Sequence, residues 1–242
     1  MSIAPAEPQS RPLTIAFIGN PNTGKSTLFS AVSGLQTRVG NFPGVTVEKK
    51  IGHTRWNGRS LSFVDLPGTY SLSPRTLDEM VSVDVLLGDM RDVARPDAVV
   101  CIVDAANLER NLYLVSQVLD LGLPVVLALN MWDVAQNRGL SIDVEALRDR
   151  LGIPVVVTEA HRRRGLDELR QAVVEAAASQ APPVPQLFPP EFAAKRDEMK
   201  TQLTEWGDAE VPDYLVERMI LDAGGSVESR FCRRHGEQLA AR

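Results

Sequence analysis

The chain has 242 residues and a formal net charge of −5; 44% of the residues are hydrophobic and 24% are charged. This length accommodates one full domain and a smaller appendage, and the composition excludes a chain that is disordered throughout. The acidic balance argues against a broad electrostatic surface for nucleic acid or anionic lipid.

The sequence carries no pattern typical of secretion or of a membrane span. Residues 1–11 are rich in Pro, Ser and Ala without an apolar signal core, and they predict a flexible leader. The longest apolar runs, at 98–103 and 125–129, are far shorter than the roughly 20 residues of a spanning helix. Cys101 and Cys232 give neither a disulfide framework nor metal-ligand spacing, which favours a reducing cytosol.

Apolar runs alternate with helix-like stretches along most of the chain. A first run at 13–18 leads into a glycine loop and a helical pattern. Later apolar runs lie at 61–64, 98–103, 125–129 and 154–157, and helical spacing recurs near 108–121, 144–151 and 165–178. This alternation predicts an α/β fold with a mostly parallel sheet flanked by helices.

One hairpin is predicted early in the chain. Residues 46–55 are followed by Trp56-Asn57-Gly58 and then by a second apolar strand. Asn-Gly is favoured at a two-residue hairpin turn, because both positions need positive φ. We therefore expect one antiparallel edge strand.

The segment GNPNTGKS at residues 19–26 matches the P-loop pattern between the predicted first strand and first helix. Successive backbone N–H groups there would surround phosphate oxygens, Lys25 would reach the β- and γ-phosphates, and the hydroxyl of Ser26 would bind Mg²⁺. The alternative is a glycine-rich turn with an exposed lysine. The predicted nucleotide-binding residues here are Gly19, Asn20, Pro21, Asn22, Thr23, Gly24, Lys25, Ser26 and Thr27.

Two further segments predict contacts to a γ-phosphate and its metal ion. Asp65 ends an apolar strand and would hold Mg²⁺ through water, while the N–H of Gly68 would meet the γ-phosphate. Thr46 lies in a loop that could order around that phosphate, and it is assigned as the second magnesium hydroxyl. The alternatives are an ordinary turn after a strand at Asp65 and a β-branched strand start at Thr46.

The predicted catalytic residues are Lys25, Asn22, Thr46 and Gly68. Thr69 follows Gly68 at a position where many fast GTPases carry a glutamine that orients the attacking water. We therefore expect the intrinsic rate of nucleotide hydrolysis to be slow.

Base recognition is assigned to the ends of two later strands. The carboxylate of Asp133 can accept two hydrogen bonds from guanine, and adenine lacks that pair of donors, so Asp133 is the predicted specificity residue beside Asn130. Met131 would supply an apolar contact to the base. Glu159 and Ala160 occupy the last recognition turn, where the N–H of Ala160 could bond the guanine carbonyl.

The C-terminal part of the sequence predicts a separate helical unit. The Pro-rich residues 181–190 cannot continue a helix and are expected to form a stiff linker. Beyond them Val211, Leu215 and Met219 recur at helical spacing. We therefore predict a G domain at 12–180 and a small all-α domain at 191–242.

The motifs at 19–26, 39–48 and 65–72, together with Asp104-Ala-Ala-Asn-Leu-Glu-Arg-Asn-Leu-Tyr113, resemble the cytosolic G domain of the ferrous iron transporter FeoB. The similarity covers roughly residues 13–178. It implies a P-loop NTPase (Ras-like) fold that binds and hydrolyses GTP. It also implies the same site residues: the P-loop on the phosphates, Thr46 and Asp65 on magnesium, Asn130 and Asp133 on guanine.

The resemblance carries further expectations about the whole protein. It implies a helical domain that modulates nucleotide affinity and a polytopic membrane region outside this chain, so that the chain is a soluble fragment on the cytoplasmic side of a bacterial inner membrane. Some relatives with an asparagine at the position of Asn22 recruit K⁺, which makes K⁺ activation a hypothesis. The expected partners are guanine nucleotide and that membrane region, without nucleic acid; homo-oligomerisation is left open.

Two other functions remain open at this point. A soluble GTPase of ribosome or tRNA maturation would share the P-loop, but such proteins usually add a basic RNA-binding surface. A nucleotide-binding module without useful hydrolysis would act only as a sensor. Salt-sensitive RNA binding and single-turnover phosphate release would separate these from the transporter GTPase.

Overall fold

The fold is described from a computed structural model of the chain. It describes residues 11–34, 37–73, 76–179, 189–207, 211–222, 224–225 and 227–228. The strands are β1 (Leu13–Gly19), β2 (Thr37–Asn41), β3 (Glu48–Trp56), β4 (Arg59–Asp65), β5 (Ala98–Asp104), β6 (Val125–Asn130) and β7 (Val155–Val157). The helices are α1 (Lys25–Ser33), α2 (Leu77–Leu87), α3 (Leu108–Leu119), α4 (Trp132–Asn137), α5 (Val144–Leu151), α6 (Leu166–Ala178), α7 (Pro190–Glu205) and α8 (Asp213–Leu221).

The described strands form one sheet in the order β2-β3-β4-β1-β5-β6-β7. β1 lies in the middle and pairs in parallel with β4 and β5, and β5, β6 and β7 continue in parallel. The carboxyl ends of β1, β4, β6 and β7 therefore meet at one edge of the sheet, where ligands of open α/β sheets bind. The predicted α/β fold with a mostly parallel sheet is confirmed.

The predicted hairpin is confirmed, but its first strand is not the edge of the sheet. β3 and β4 pair antiparallel around Asn57 and Gly58, which have φ values of 47° and 81°. β2 adds a further antiparallel strand outside β3, so the expectation that the hairpin supplies the edge strand was wrong. Every residue of β2 is exposed, and its sequence has no apolar alternation; pairing with β3 alone makes it a strand.

Both faces of the sheet are covered, as its continuous apolar strands require. Phe17 points to the face covered by α1 and α6, where its ring meets Phe29 and Phe63 edge to face at 5.9 and 5.4 Å. The other face packs against α2, α3 and α8. Each fully buried aliphatic or aromatic side chain contributes about 1.5–3 kcal/mol over its exposed state. This packing fixes the strand ends that carry the site.

The C-terminal helices pack on the same core as the sheet. Leu203, Tyr214 and Val216 are buried within the cluster that includes β5 and α3. Pro190 occupies the first turn of α7, where a missing N–H costs nothing. Within the tail, Arg196 of α7 donates to Glu217 of α8 at 3.2 Å. The apolar face predicted around Leu215 is confirmed as a buried face of α8.

The proposed domain limits remain predictions, because residues 1–10, 181–188 and 229–242 lie outside the described residues. Arg11, the last residue of the predicted leader, donates two hydrogen bonds to Asp97 at 2.8 and 2.6 Å.

In the described ranges, no helix combines the length and apolar character needed to cross a bilayer.

Candidate functional site

The glycine loop turns from the end of β1 into the start of α1. Asn22 and Gly24 hold left-handed backbone conformations with φ values of 68° and 77°, and the hydroxyl of Thr23 donates to the carbonyl of Asn20 at 2.9 Å. A Cβ on Gly24 would lie 2.5 Å from Nδ2 of Asn130, so this close approach requires glycine. The first turn of α1 contains no acidic residue, and its amide dipoles favour an anion.

A polar cleft with a volume of about 340 Å³ opens beside this loop. Five residues predicted to bind phosphate or metal line it: Lys25, Ser26, Thr46, Asp65 and Gly68. They come from α1, the loop before β3, the end of β4 and the loop after it. The structure thus brings together the residues for which the sequence predicted a common role, although their individual roles stay predictions.

Lys25 and Asp65 form an ion pair inside this cleft. Their side chains are only 11% and 6% exposed. A charge at this depth needs a partner, and each side chain here supplies the other's. The same two groups are the ones predicted to meet phosphate and magnesium.

A buried phenylalanine anchors the loop that carries Thr46. Phe42 is almost fully buried, its N–H donates to the carbonyl of Val47 at 2.9 Å, and its carbonyl accepts from Val45 at 3.3 Å. The turn between them leaves Thr46 exposed at the rim of the cleft. Thr46 is thus held near Ser26 and Asp65 from both sides.

A second polar site lies where β6 and β7 end. Asn130 donates to the carbonyl of Thr23 at 2.9 Å, which ties it to the glycine loop. Its Oδ1 accepts from the hydroxyl of Thr158 at 3.1 Å and from the N–H of Ala160 at 3.2 Å. The side chain of Asn130 therefore links the glycine loop to the last recognition turn by hydrogen bonds.

Asp133, in the first turn of α4, carries a carboxylate oxygen without a partner. Its Oδ1 is buried and makes no hydrogen bond within the described part of the chain. Its Oδ2 lies 3.4 Å from Nε2 of His161 and 3.9 Å from a guanidinium nitrogen of Arg162. A buried carboxylate oxygen without a donor is costly, and two adjacent N–H groups of a guanine edge would satisfy it.

Met131 lies next to the glycine loop. It precedes α4 in the left-handed conformation, with φ of 57°. A Cβ built on Gly24 would lie 3.5 Å from Cε of Met131. The thioether side chain is thus placed against the glycine loop, and its contact to a base stays a prediction.

Ion pairs of Glu159 stabilise the last recognition turn. Glu159 is 7% exposed, and its carboxylate pairs with Arg162 at 3.1 Å and Arg164 at 3.5 Å. The sequence pattern alone did not indicate this pairing. The N–H of Ala160 already donates to Asn130, so its contact to guanine, like that of Glu159, stays a prediction.

The polar cleft beside the glycine loop, called the phosphate cleft below for the ligand predicted there, is also lined by three charged residues that the sequence did not single out: Glu48, Lys50 and Asp78. Strand alternation held a signal for two of them, because Glu48 and Lys50 are spaced by two on β3 and share one face. In the part of the chain that the structure describes, no group of three or more His, Cys, Asp or Glu is placed to hold a metal ion. The proposed magnesium ligands are mainly hydroxyls and belong to another type of site.

The family model of ferrous iron transport protein B matches residues 13–173, more than half of the chain. The chain belongs to the ferrous iron transport protein B family. FeoB of Salmonella typhimurium, an Fe(2+) transporter, is 48% identical over 166 residues, and FeoB of Escherichia coli K12 is 46% identical over the same length. These alignments cover 66% of the chain but only 21% of each transporter, so the chain spans about a fifth of its relatives.

Solved FeoB cytosolic domains share the fold over nearly the whole chain. The domain of T. maritima FeoB in a GDP form is 32% identical with a TM-score of 0.80, covering 92% of this chain and 85% of that one. The domain of L. pneumophila FeoB is 36% identical with the same TM-score, covering 93% and 88%. The T. maritima domain has also been solved in a GMPPNP form. The P-loop NTPase fold of the FeoB G domain is thereby confirmed, and the family gives no support to the ribosome or tRNA alternative.

Proposed function

We propose that this chain binds guanine nucleotide with Mg²⁺ and hydrolyses GTP as the regulatory region of a ferrous iron transporter. The observation that carries the proposal is the buried carboxylate oxygen of Asp133, which has no hydrogen-bond partner among the described residues. Asn130, three positions earlier in the chain, donates to the glycine loop at Thr23. The related T. maritima domains, solved in GDP and GMPPNP forms, support the same ligand class.

Guanine would be selected by a requirement for two donors. Its ring N–H and exocyclic amine can both donate to Asp133, whereas the corresponding edge of adenine offers no such pair. An unmet buried acceptor costs about 1–3 kcal/mol, more when it is charged, so adenine would be rejected by far more than a shape mismatch would achieve. Asn130 and Met131 would fix the plane of the base beside Asp133.

Charge balance in the cleft supports a magnesium requirement. The lining carries three carboxylates, from Glu48, Asp65 and Asp78, against the two ammonium groups of Lys25 and Lys50. A polyphosphate would add further negative charge, so binding needs a cation. The hydroxyls of Ser26 and Thr46 and the carboxylate of Asp65 are oxygen ligands of the kind that Mg²⁺ prefers. Bound there, Mg²⁺ would neutralise charge on the β- and γ-phosphate oxygens.

The hydrolytic step would depend on positioning by the backbone and by Lys25. Thr69 is buried, and its hydroxyl donates to the carbonyl of Ser71 at 2.6 Å, so it cannot orient a water molecule as a glutamine would. The main-chain N–H of Gly68 at the rim of the cleft is the expected γ-phosphate donor. A slow intrinsic rate follows, with Asn22 as the proposed K⁺ ligand near the phosphates.

The coupling to transport is proposed for the full-length protein. The loop after Gly68 is held by the tail, because Tyr214 of α8 donates to the carbonyl of Leu72 at 2.8 Å. A γ-phosphate that reorders this loop would therefore act on α8. In this proposal the chain lies on the cytoplasmic side of the membrane and is joined to a membrane transport region of the full-length protein, where it regulates Fe²⁺ uptake. The hypothesis also includes self-association of the chain.

A titration with GDP, GTP and ATP in the presence of Mg²⁺ tests this function. We expect tight binding of both guanine nucleotides and none of ATP, followed by phosphate release in single-turnover assays with GTP. Comparable binding of ATP and GTP would refute the base assignment. Binding without phosphate release would leave a nucleotide sensor in place of an enzyme.

A further inference from the structure

The phosphate cleft contains a second lysine, Lys50, that no motif assigns. Lys50 lies in β3 directly opposite Asp65 of β4 in the antiparallel register. Opposed side chains in such a pair share a face, with Cβ atoms about 4.5–5.5 Å apart. Lys50 lines the cleft with Lys25, Thr46 and Gly68, so its side chain is on the side where the γ-phosphate is expected.

Glu48 holds the ammonium of Lys50 at the rim of this cleft. The Nζ of Lys50 lies 2.9 Å from Oε2 of Glu48, and the two side chains are 34% and 56% exposed. An ion pair this exposed contributes little to stability, so exchanging the partner of Lys50 costs little. The flexible four-carbon stem of lysine lets the charge turn from the rim into the cleft.

GTP differs from GDP by the γ-phosphate and its additional negative charge. Lys25 is already assigned to the β- and γ-phosphates together, and the lining acids Glu48 and Asp78 would repel the added phosphate. Lys50 is the lining cation that carries no role in the P-loop motif. A charge-assisted contact from it would be made to the triphosphate and not to the diphosphate.

We propose that Lys50 is a specificity residue for the γ-phosphate: it leaves Glu48 and binds the terminal phosphate when a guanosine triphosphate occupies the cleft. The proposal rests on the proposed function, since it needs the triphosphate to lie with its γ-phosphate beside Thr46 and Gly68. It makes Glu48 a competitor for Lys50, so that the state of this pair reports whether a triphosphate is bound.

The neighbouring residue offers a matched control. Lys49 has the same charge on the same strand but the opposite face, where its Nζ lies 5.9 Å from the ring centre of Phe42. The experiment measures dissociation constants of GDP and of a non-hydrolysable GTP analogue, with Mg²⁺ and fixed ionic strength, for the unaltered chain, Lys50→Met and Lys49→Met. Lys50→Met should weaken the analogue about 10-fold and GDP less than about 2-fold, while Lys49→Met should change neither.

Three results would overturn the proposal. They are an unchanged analogue affinity in Lys50→Met, an equal loss for both nucleotides, and a loss in Lys49→Met as large as in Lys50→Met. Lys50→Gln, a second neutral variant, gives the same readout if the methionine variant does not fold. If the unaltered chain binds neither nucleotide, the proposed function fails as well. If the unaltered chain binds both nucleotides and Lys50→Met leaves the affinity for the GTP analogue unchanged, only this inference is rejected.

A double-mutant cycle with Glu48→Gln tests the competition. Glu48→Gln should tighten the GTP analogue, because it frees Lys50 and removes a negative charge from the rim. In the Lys50→Met background that gain should shrink, since no ammonium remains to be freed. An identical gain in both backgrounds would show that Glu48 acts only through its own charge and would overturn the exchange of partners.

Discussion

The ammonium of Lys25 and the carboxylate of Asp65 are ion-paired across 40 positions of sequence, from the first turn of α1 to the end of β4. Both side chains are nearly buried, so each charge depends on the other for compensation. Each is also proposed to change partner when nucleotide binds, Lys25 to phosphate and Asp65 to the hydration shell of Mg²⁺. The affinity for metal and for nucleotide should therefore be coupled through this pair.

Asp65→Asn should separate the two roles proposed for Asp65, as the partner of Lys25 and as a residue that holds Mg²⁺. Without Mg²⁺ the variant should bind GTP more tightly than the unaltered chain, because Lys25 is released and a negative charge is removed. The gain on adding Mg²⁺ should fall by about 10-fold or more, since the carboxylate that orders the metal is lost. Titrations in EDTA and in Mg²⁺ give both numbers. Asp78→Asn, an exposed acid on the same cleft, is the control, and an undiminished Mg²⁺ gain in Asp65→Asn would contradict the assignment.

Asp133→Asn should change the base that is accepted. An asparagine amide can donate to the carbonyl that xanthine carries in place of the guanine amine. We expect GTP affinity to fall by about 100-fold or more and xanthosine triphosphate to bind better than GTP. Competition binding with both nucleotides measures the switch. Asp167→Asn, at an exposed ion pair on α6, should leave the preference intact; an unaltered preference in Asp133→Asn would exclude it as the base reader.

Glu159→Gln should loosen the last recognition turn. The buried carboxylate pairs with Arg162 and Arg164, and without its charge the turn holds Ala160 less firmly against Asn130. GDP dissociation should accelerate by about 3- to 10-fold, the range expected for the loss of a modest ion pair. Stopped-flow release of a fluorescent GDP measures it. Arg163→Gln removes a nearby charge for which the described structure shows no ion pair, and equal acceleration in both variants would argue against a role for the Glu159 pairs.

Tyr214→Phe should weaken the contact between α8 and the loop after Gly68. The carbonyl of Leu72 would lose a buried donor, at a cost of about 1–2 kcal/mol of unfolding free energy. Burial raises the pKa of the Tyr214 phenol. The deficit of the variant should thus be constant at ordinary pH and shrink above pH about 10, where ionisation of tyrosine in the unfolded chain destabilises only the unaltered protein.

Urea unfolding across that pH range provides the measurement for Tyr214→Phe. Tyr113→Phe is the matched control, because the side chain of Tyr113 is 56% exposed. If the Tyr113 variant lost as much stability as the Tyr214 variant, the hydrogen bond to Leu72 could not be the cause.

Potassium should raise the GTPase rate above that in sodium at equal ionic strength. Asn22 is exposed on the glycine loop with a left-handed backbone, next to the turn that would surround the phosphates. A cation held there would offset charge that develops in transfer, and we expect about a 10-fold difference between the two buffers. Asn22→Ala should abolish the difference without abolishing binding. Equal rates in both buffers would reject the hypothesis.

Motifs and periodicity were sufficient for the parts of the fold that are local. The apolar runs gave the central strands, the Asn57-Gly58 turn gave the hairpin, and the spacing from Gly19 to Ser26 gave the loop between β1 and α1. The strand β2 could not be found this way, because its residues are all exposed and only the hydrogen bonds to β3 define it. Helix α2 was also not predicted, although the capping box of Thr76 and Glu79 marks its start.

The sequence by itself determined which residues are the candidates for the chemistry, since the patterns of a phosphate loop, an acid for the base and a strand-ending aspartate each involve only a few neighbours in the chain. Only the tertiary structure decided which of these side chains are in contact. The pairing of Lys25 with Asp65, the place of Lys50 opposite Asp65 and the burial of Glu159 between two arginines depend on strand register and on which loops share a sheet edge. Contacts of that kind join distant positions, and no local pattern encodes them.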